Sequence, residues 1–132
     1  MQLRAKGFWK VNKDSIRIVT DIDFCKYYYW LFMRGTWSLH KMQLPKHGSH
    51  VGIVNEKIHR VDCSRFLYLN NQEVYFNYNV TGNFGGFKKG FKNFWLDVYL
   101  EQGEDIQREL GIYKKTDGFE IFHLTICNSK NL

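Results

Sequence analysis

The chain has 132 residues, 19 Lys and Arg against 13 Asp and Glu, a formal net charge of +6 and a pI of about 9.2. One domain is the natural expectation at this length, and a 44% hydrophobic share excludes global disorder. The basic balance favours anionic partners such as nucleotides, RNA or anionic lipid. No apolar run reaches the ~18 residues of a membrane span and the N-terminus lacks a signal-like apolar stretch, so the expectation is a cytoplasmic protein with no membrane contact.

The aromatic load is heavy, with eleven Phe, eight Tyr and four Trp. A core this small is expected to leave some rings exposed, where they can stack on bases. Cys25, Cys63 and Cys127 are odd in number and lack a C-x-x-C spacing, which argues for buried free thiols rather than a disulfide framework or zinc ribbon.

In chain order, residues 5–11 and 15–20 read as two strands joined by a turn at Asn12–Lys13–Asp14. A helix is expected from Asp23, its N-cap, to about residue 34, with Phe24, Tyr28, Leu31 and Phe32 facing the core and Gly35 as its stop. After a loop around Pro45–Gly48, HVGIV at 50–54 reads as a strand. Segments 65–69 and 72–80 suggest a hairpin turning at Asn70–Asn71, and 81–93 a Gly- and Lys-rich loop. A strand at 94–100, a helix at 103–112 and a strand at 119–127 complete the list.

The two ends of this list resemble one another. Strand, helix, loop and HVGIV in one half answer to strand, helix, loop and HLTIC in the other. Side chains alternate along a strand. His50, Gly52 and Val54 therefore share one face opposite Val51 and Ile53, and His123, Thr125 and Cys127 share one face opposite Leu124 and Ile126. Two such strands side by side would bring two imidazoles to one surface. His47 and His50 stand three apart and face opposite sides of a strand, and no third ligand follows at a recognisable spacing, so no metal site is expected.

FHLTI at 122–126 and GSHVGIV at 48–54 resemble the paired His-x-Ser/Thr motifs of the 2H, or LigT-like, phosphoesterases, with Gly52 where the first motif carries a hydroxyl. Within that superfamily the chain looks most like the phage anti-CBASS nucleases, on its length, its basic character, MQLRAKGFWKV and the aromatic segment FCKYYYWLF. The resemblance implies a duplicated α+β fold of antiparallel sheets around a central cleft with helices outside. It implies a phosphodiesterase that cuts 3′–5′ linkages of cyclic di- or trinucleotide immune signals in an infected bacterial host, with His50 and His123 as acid and base in either order. Thr125 would donate to a phosphate oxygen, and neither cofactor nor metal would be needed. The same residues fit an RNA 2′,3′-cyclic phosphodiesterase, and Gly52 fits a non-catalytic cyclic-nucleotide sponge. A basic RNA-binding module without an active site is the further class. Gly52, Trp37, Lys88 and Lys89 are candidate substrate contacts, the lysines lying in GGFKKGFK among phenylalanines that can stack on bases.

Overall fold

The computed structural model describes residues 2–35, 42–45, 48–88, 91–112 and 122–128, with only the backbone described at 84–88 and 91–92. It is an α+β protein built on one antiparallel sheet. Strands β1 (Gln2–Val11) and β2 (Ile16–Thr20) form a hairpin. Its turn is held by Asn12, whose Oδ1 accepts from the backbone N–H groups of Asp14 and Ser15, each at 2.8 Å. Helix α1 (Ile22–Gly35) follows at once. Its cap is Asp21 rather than Asp23, because the Asp21 carboxylate accepts the Asp23 N–H at 2.8 Å. Then come β3 (His50–Val54), a 3-10 helix (Ser64–Leu69), β4 (Glu73–Asn79), β5 (Asn83–Lys88), β6 (Phe91–Tyr99), α2 (Glu101–Glu109) and β7 (Phe122–Asn128).

The strand order is β4-β1-β2-β3-β7-β6-β5, and β4 pairs again with β6 through Asn77–Tyr99 and Tyr78–Val98. Six strands thereby close into a barrel. β5 continues along the β6 edge that β4 has left, with Asn83 opposite Trp95. From Tyr78 to Asn83 the chain advances five residues while its partner retreats three, from Val98 to Trp95. β4 and β5 thus form one strand interrupted by two additional residues, the local bend that lets a sheet turn back on itself. Antiparallel sheets around a central cleft were expected; a single closed sheet is found.

Alternation decides the rest. Inward positions are apolar and buried: Trp9 and Val11 on β1, Ile16 and Ile18 on β2, Val51 and Ile53 on β3, Phe76 on β4, Leu96 and Val98 on β6, and Leu124 and Ile126 on β7. Ile18, Val51, Leu124 and Leu96 stand in one row across four strands, each with no exposed surface. Burying such a side chain contributes roughly 1.5–3 kcal/mol. The register repeats about the central Val51–Leu124 pair. Val19 opposite His50 answers to Asp97 opposite His123, and Arg17 opposite Gly52 answers to Trp95 opposite Thr125.

The helices repeat the relation. Each follows an outer strand after one residue and rests on the central strand of the other half. From α1, the Cys25 thiol donates to the Ile126 carbonyl at 3.5 Å. From α2, Gln107 Nε2 donates to the Ile53 carbonyl at 2.7 Å, and Gly103 lies so close that a Cβ there would stand 3.1 Å from Ile53 Cδ1. Aromatic packing completes the α1 contact, with Tyr28 hydrogen bonded to Tyr78 at 2.7 Å and Phe32 stacked on Phe94 at 4.3 Å.

Several expectations change. Residues 65–69 form the 3-10 helix, not a strand. Asp62, just before its N-cap Cys63, accepts from the Ser64 N–H and hydroxyl, and Phe66 and Leu69, three apart, are its buried side chains. β4 consequently pairs with β1 instead of with its predecessor. The expected loop at 81–93 holds β5 and the start of β6. Leu31 is 39% exposed, so the buried side of α1 is Cys25, Tyr28 and Phe32. α2 begins at Glu101, two residues before its expected start. The three cysteines are free and buried, as expected.

Candidate active site

The central strand pair carries the histidines. Antiparallel pairing of Val51 with Leu124 sets His50 beside Thr125 and Gly52 beside His123. The imidazoles therefore belong to diagonal neighbours, whose Cα atoms lie ~7–8 Å apart. Both histidines and Gly52 are exposed and Thr125 is half-buried. In a closed sheet whose inner face is apolar core, these residues occupy the outer wall. Just inside it, Ser49 is 4% exposed and donates to the Thr125 carbonyl at 2.9 Å, with Cys25 Sγ 2.6 Å away. This contact ties α1, β3 and β7 together behind the site. It also holds the Ser49 hydroxyl away from His50, as alternation requires.

Each histidine has its own surroundings. His50 Nδ1 lies 3.3 Å from the Gly48 carbonyl. An N–H at that nitrogen can donate to the carbonyl, which leaves Nε2 for chemistry. His123 is stacked against Trp95, with ring centroids 5.2 Å apart and planes 30° from parallel. Asp97 faces it across β6 and β7. Burial against its neighbours pushes the His123 pKa down, and the Asp97 carboxylate partly restores it. The net direction leaves His123 neutral near neutral pH.

Gly52 borders open space on this surface, for a Cβ built there meets nothing within 4 Å. Arg17 stands opposite it on β2, exposed and on the same outer face. A guanidinium carries several donors on a long arm and suits a phosphate. Arg17, Trp95 and Asp97 are the site residues that sequence reasoning missed. Their sole signal was a polar or aromatic residue at an outward position of an apolar strand, and only the register turns that into proximity.

Of the other expected contacts, Trp37 and Lys89 lie outside the described residues, as does His47. For Lys88 only the backbone is described. It pairs with Phe91, six residues along β6 from Asp97. A cavity of about 490 Å³ lies among Lys13, Asp14, Glu56, Arg60 and Asp62, near the β1–β2 turn. A second, of about 330 Å³, is lined by Arg4, Tyr75, Asn77 and Tyr99 among others. Neither is lined by the histidines, both of which are exposed. Among the described residues, no group of three His, Cys, Asp or Glu side chains converges as a metal site, and no helix is long and apolar enough to cross a membrane. Comparison of the chain with protein-family models, curated proteins and solved structures finds no match.

Proposed function

We propose that this chain is a phosphodiesterase of the 2H kind that cleaves 3′–5′ linkages carrying a neighbouring ribose 2′-hydroxyl, with His50 and His123 as its acid and base. The observation that carries the reading is the Val51–Leu124 register, which sets the two His-x-Gly/Thr segments diagonally on one solvent face. The repeated order of strands and helices about that pair supports the duplicated architecture the resemblance implies.

His123 is the base. It rests neutral, and the Asp97 carboxylate stabilises the imidazolium formed when it takes the 2′-hydroxyl proton. The 2′-oxygen attacks phosphorus and the bond from phosphorus to the 5′-oxygen breaks. His50, protonated and oriented by the Gly48 carbonyl, gives its Nε2 proton to that leaving oxygen. The products are a 2′,3′-cyclic phosphate and a free 5′-hydroxyl. Thr125 and Arg17 hold the non-bridging oxygens as charge grows there, Arg17 reaching over Gly52 in place of a second hydroxyl. The nucleophile belongs to the substrate, so the scheme calls for no metal.

By resemblance the substrates are cyclic di- and trinucleotide alarm signals of bacterial antiviral defence, met in the cytoplasm of an infected host. The exposure of both histidines fits a second reading, linear RNA, because an extended strand can reach them as readily as a small ring does. Replacing His50 or His123 by Ala tests both readings. Each change is expected to lower the cleavage rate about 10²–10⁴-fold with little loss of ligand affinity. Near-normal turnover in either variant would sink the mechanism.

A further inference from the structure

The outer wall does not end at the histidines. β1 turns Arg4, Lys6, Phe8 and Lys10 outward, all exposed, in strict alternation with buried Gly7, Trp9 and Val11. The register joins this strand to the candidate site without a break. Phe8 stands opposite Val19, and Val19 opposite His50; Lys10 stands opposite Arg17, and Arg17 opposite Gly52. On the far edge Lys6 faces Tyr75 of β4. Phe8 is 41% exposed and Tyr75 47% exposed, large rings left in water on a sheet that had core positions to offer.

Cations already sit on those rings. The Arg4 guanidinium carbon lies 4.3 Å from the Tyr75 centroid and Lys6 Nζ 5.8 Å from that of Phe8. Two carboxylates adjoin these groups: Glu73 faces Phe8 and accepts the Tyr75 hydroxyl at 2.7 Å, and Glu101 lines the cavity beside Arg4. Beyond Arg4 and Tyr75 the surface dips into the cavity of about 330 Å³ that Asn77 and Tyr99 also line. Four cations with two open rings form the pairing that binds single strands: phosphates lie along the basic side chains and bases stack on the rings. The outer walls of small closed barrels serve this purpose in oligonucleotide-binding folds. Val19 and Phe8 lie one and two strands from His50, ~5 and ~10 Å across the sheet, so a strand held there passes directly to the histidines.

We infer that the outer face of β1 and its neighbours binds single-stranded RNA, with Phe8 and Tyr75 as stacking platforms and Arg4, Lys6, Lys10 and Arg17 as phosphate contacts, and feeds the strand to the histidine pair. The delivery step rests on the phosphodiesterase reading; the binding step does not.

The test uses the full chain and a fluorescein-labelled, 2′-O-methylated octaribonucleotide, which cannot form a cyclic phosphate and so reports binding alone by anisotropy. Phe8→Ala with Lys10→Ala is expected to weaken binding about tenfold or more, and Lys6→Glu with Lys10→Glu at least as much. The salt dependence should become shallower by ~0.7 in logarithmic slope for each phosphate no longer neutralised. His123→Ala should bind as the parent does, and the Phe8/Lys10 variant should cleave a dinucleoside monophosphate at the parent rate. All replaced positions are exposed, and unchanged thermal midpoints establish that the variants fold. Parent protein that does not bind the octamer, or variants that bind it as tightly as the parent, overturn the inference and leave the histidine mechanism standing. Binding that falls as stated, with no cleavage of any ribonucleotide, keeps the surface and removes the phosphodiesterase reading.

Discussion

At the scale of the residue, two neighbours act on His123 in opposite senses. Packing against Trp95 and the wall favours the neutral ring, and Asp97 favours the charged one, with packing the larger effect. If His123 is the base, the acid limb of the rate profile reports its deprotonation, because activity is lost as the ring takes up a proton. Asp97→Asn removes the influence that raises the pKa, so that limb moves to lower pH. Trp95→Ala relieves the crowding, so the limb moves up toward the ordinary histidine range near 6.5. Arg17, opposite Gly52, and His50, diagonal to His123, are unaltered in both variants, so opposite displacements isolate the two causes. A pH–rate series on both proteins checks this. Shifts in the same direction would assign the limb to another group.

At the scale of the element, alternation is the governing rule, and it separates two glycines of the same sheet. Gly7 points inward, and a Cβ there would stand 2.5 Å from Ile18 Cγ2 and 2.8 Å from the Val19 carbonyl oxygen. The backbone oxygen cannot rotate away. Gly7→Ala is therefore expected to cost about 1–3 kcal/mol of stability. Gly52 points outward into open space, so Gly52→Ala is expected to gain roughly 0.5–1 kcal/mol from the reduced freedom of the unfolded chain. Urea denaturation of both variants measures the contrast. Equal effects would contradict the assignment of inward and outward faces.

The same rule explains what the sequence disclosed. HVGIV and HLTIC were legible as strands with outward histidines because a period of two is written in five residues. RFLYL was not legible as a 3-10 helix, since Phe66 and Leu69 are spaced three apart within a segment whose composition favours strands. The β5 segment looked like a loop because its glycines carry no alternation, and its structure comes from pairing with β6. Asp97 and Arg17 became visible only when register set them beside His123 and Gly52. The closure of the sheet was not legible for a related reason. Closure depends on two pairs, Asn77–Tyr99 and Tyr78–Val98, which the alternation within either motif does not disclose.

At the scale of the whole molecule, the two halves are not independent. α1 rests on β7 and α2 on β3, so each half completes the core of the other, and the Val51–Leu124 pair that joins the motifs lies at the centre of that exchange. The site exists because both halves are present. Arg17 and Lys10 stand on the strands to one side of it, and the net charge of the chain is positive. The central claim is that this surface cuts a phosphodiester by using the substrate's own 2′-hydroxyl. The most direct measurement incubates the parent protein, with EDTA present, with cyclic di- and trinucleotides, a linear ribodinucleotide, and the 2′-deoxy form of each, and identifies products by mass. The account predicts a 2′,3′-cyclic phosphate from at least one ribonucleotide, none from its 2′-deoxy form, and loss of the product in His50→Ala and His123→Ala. Cleavage of a 2′-deoxy substrate, or no cleavage of any ribonucleotide, would contradict it.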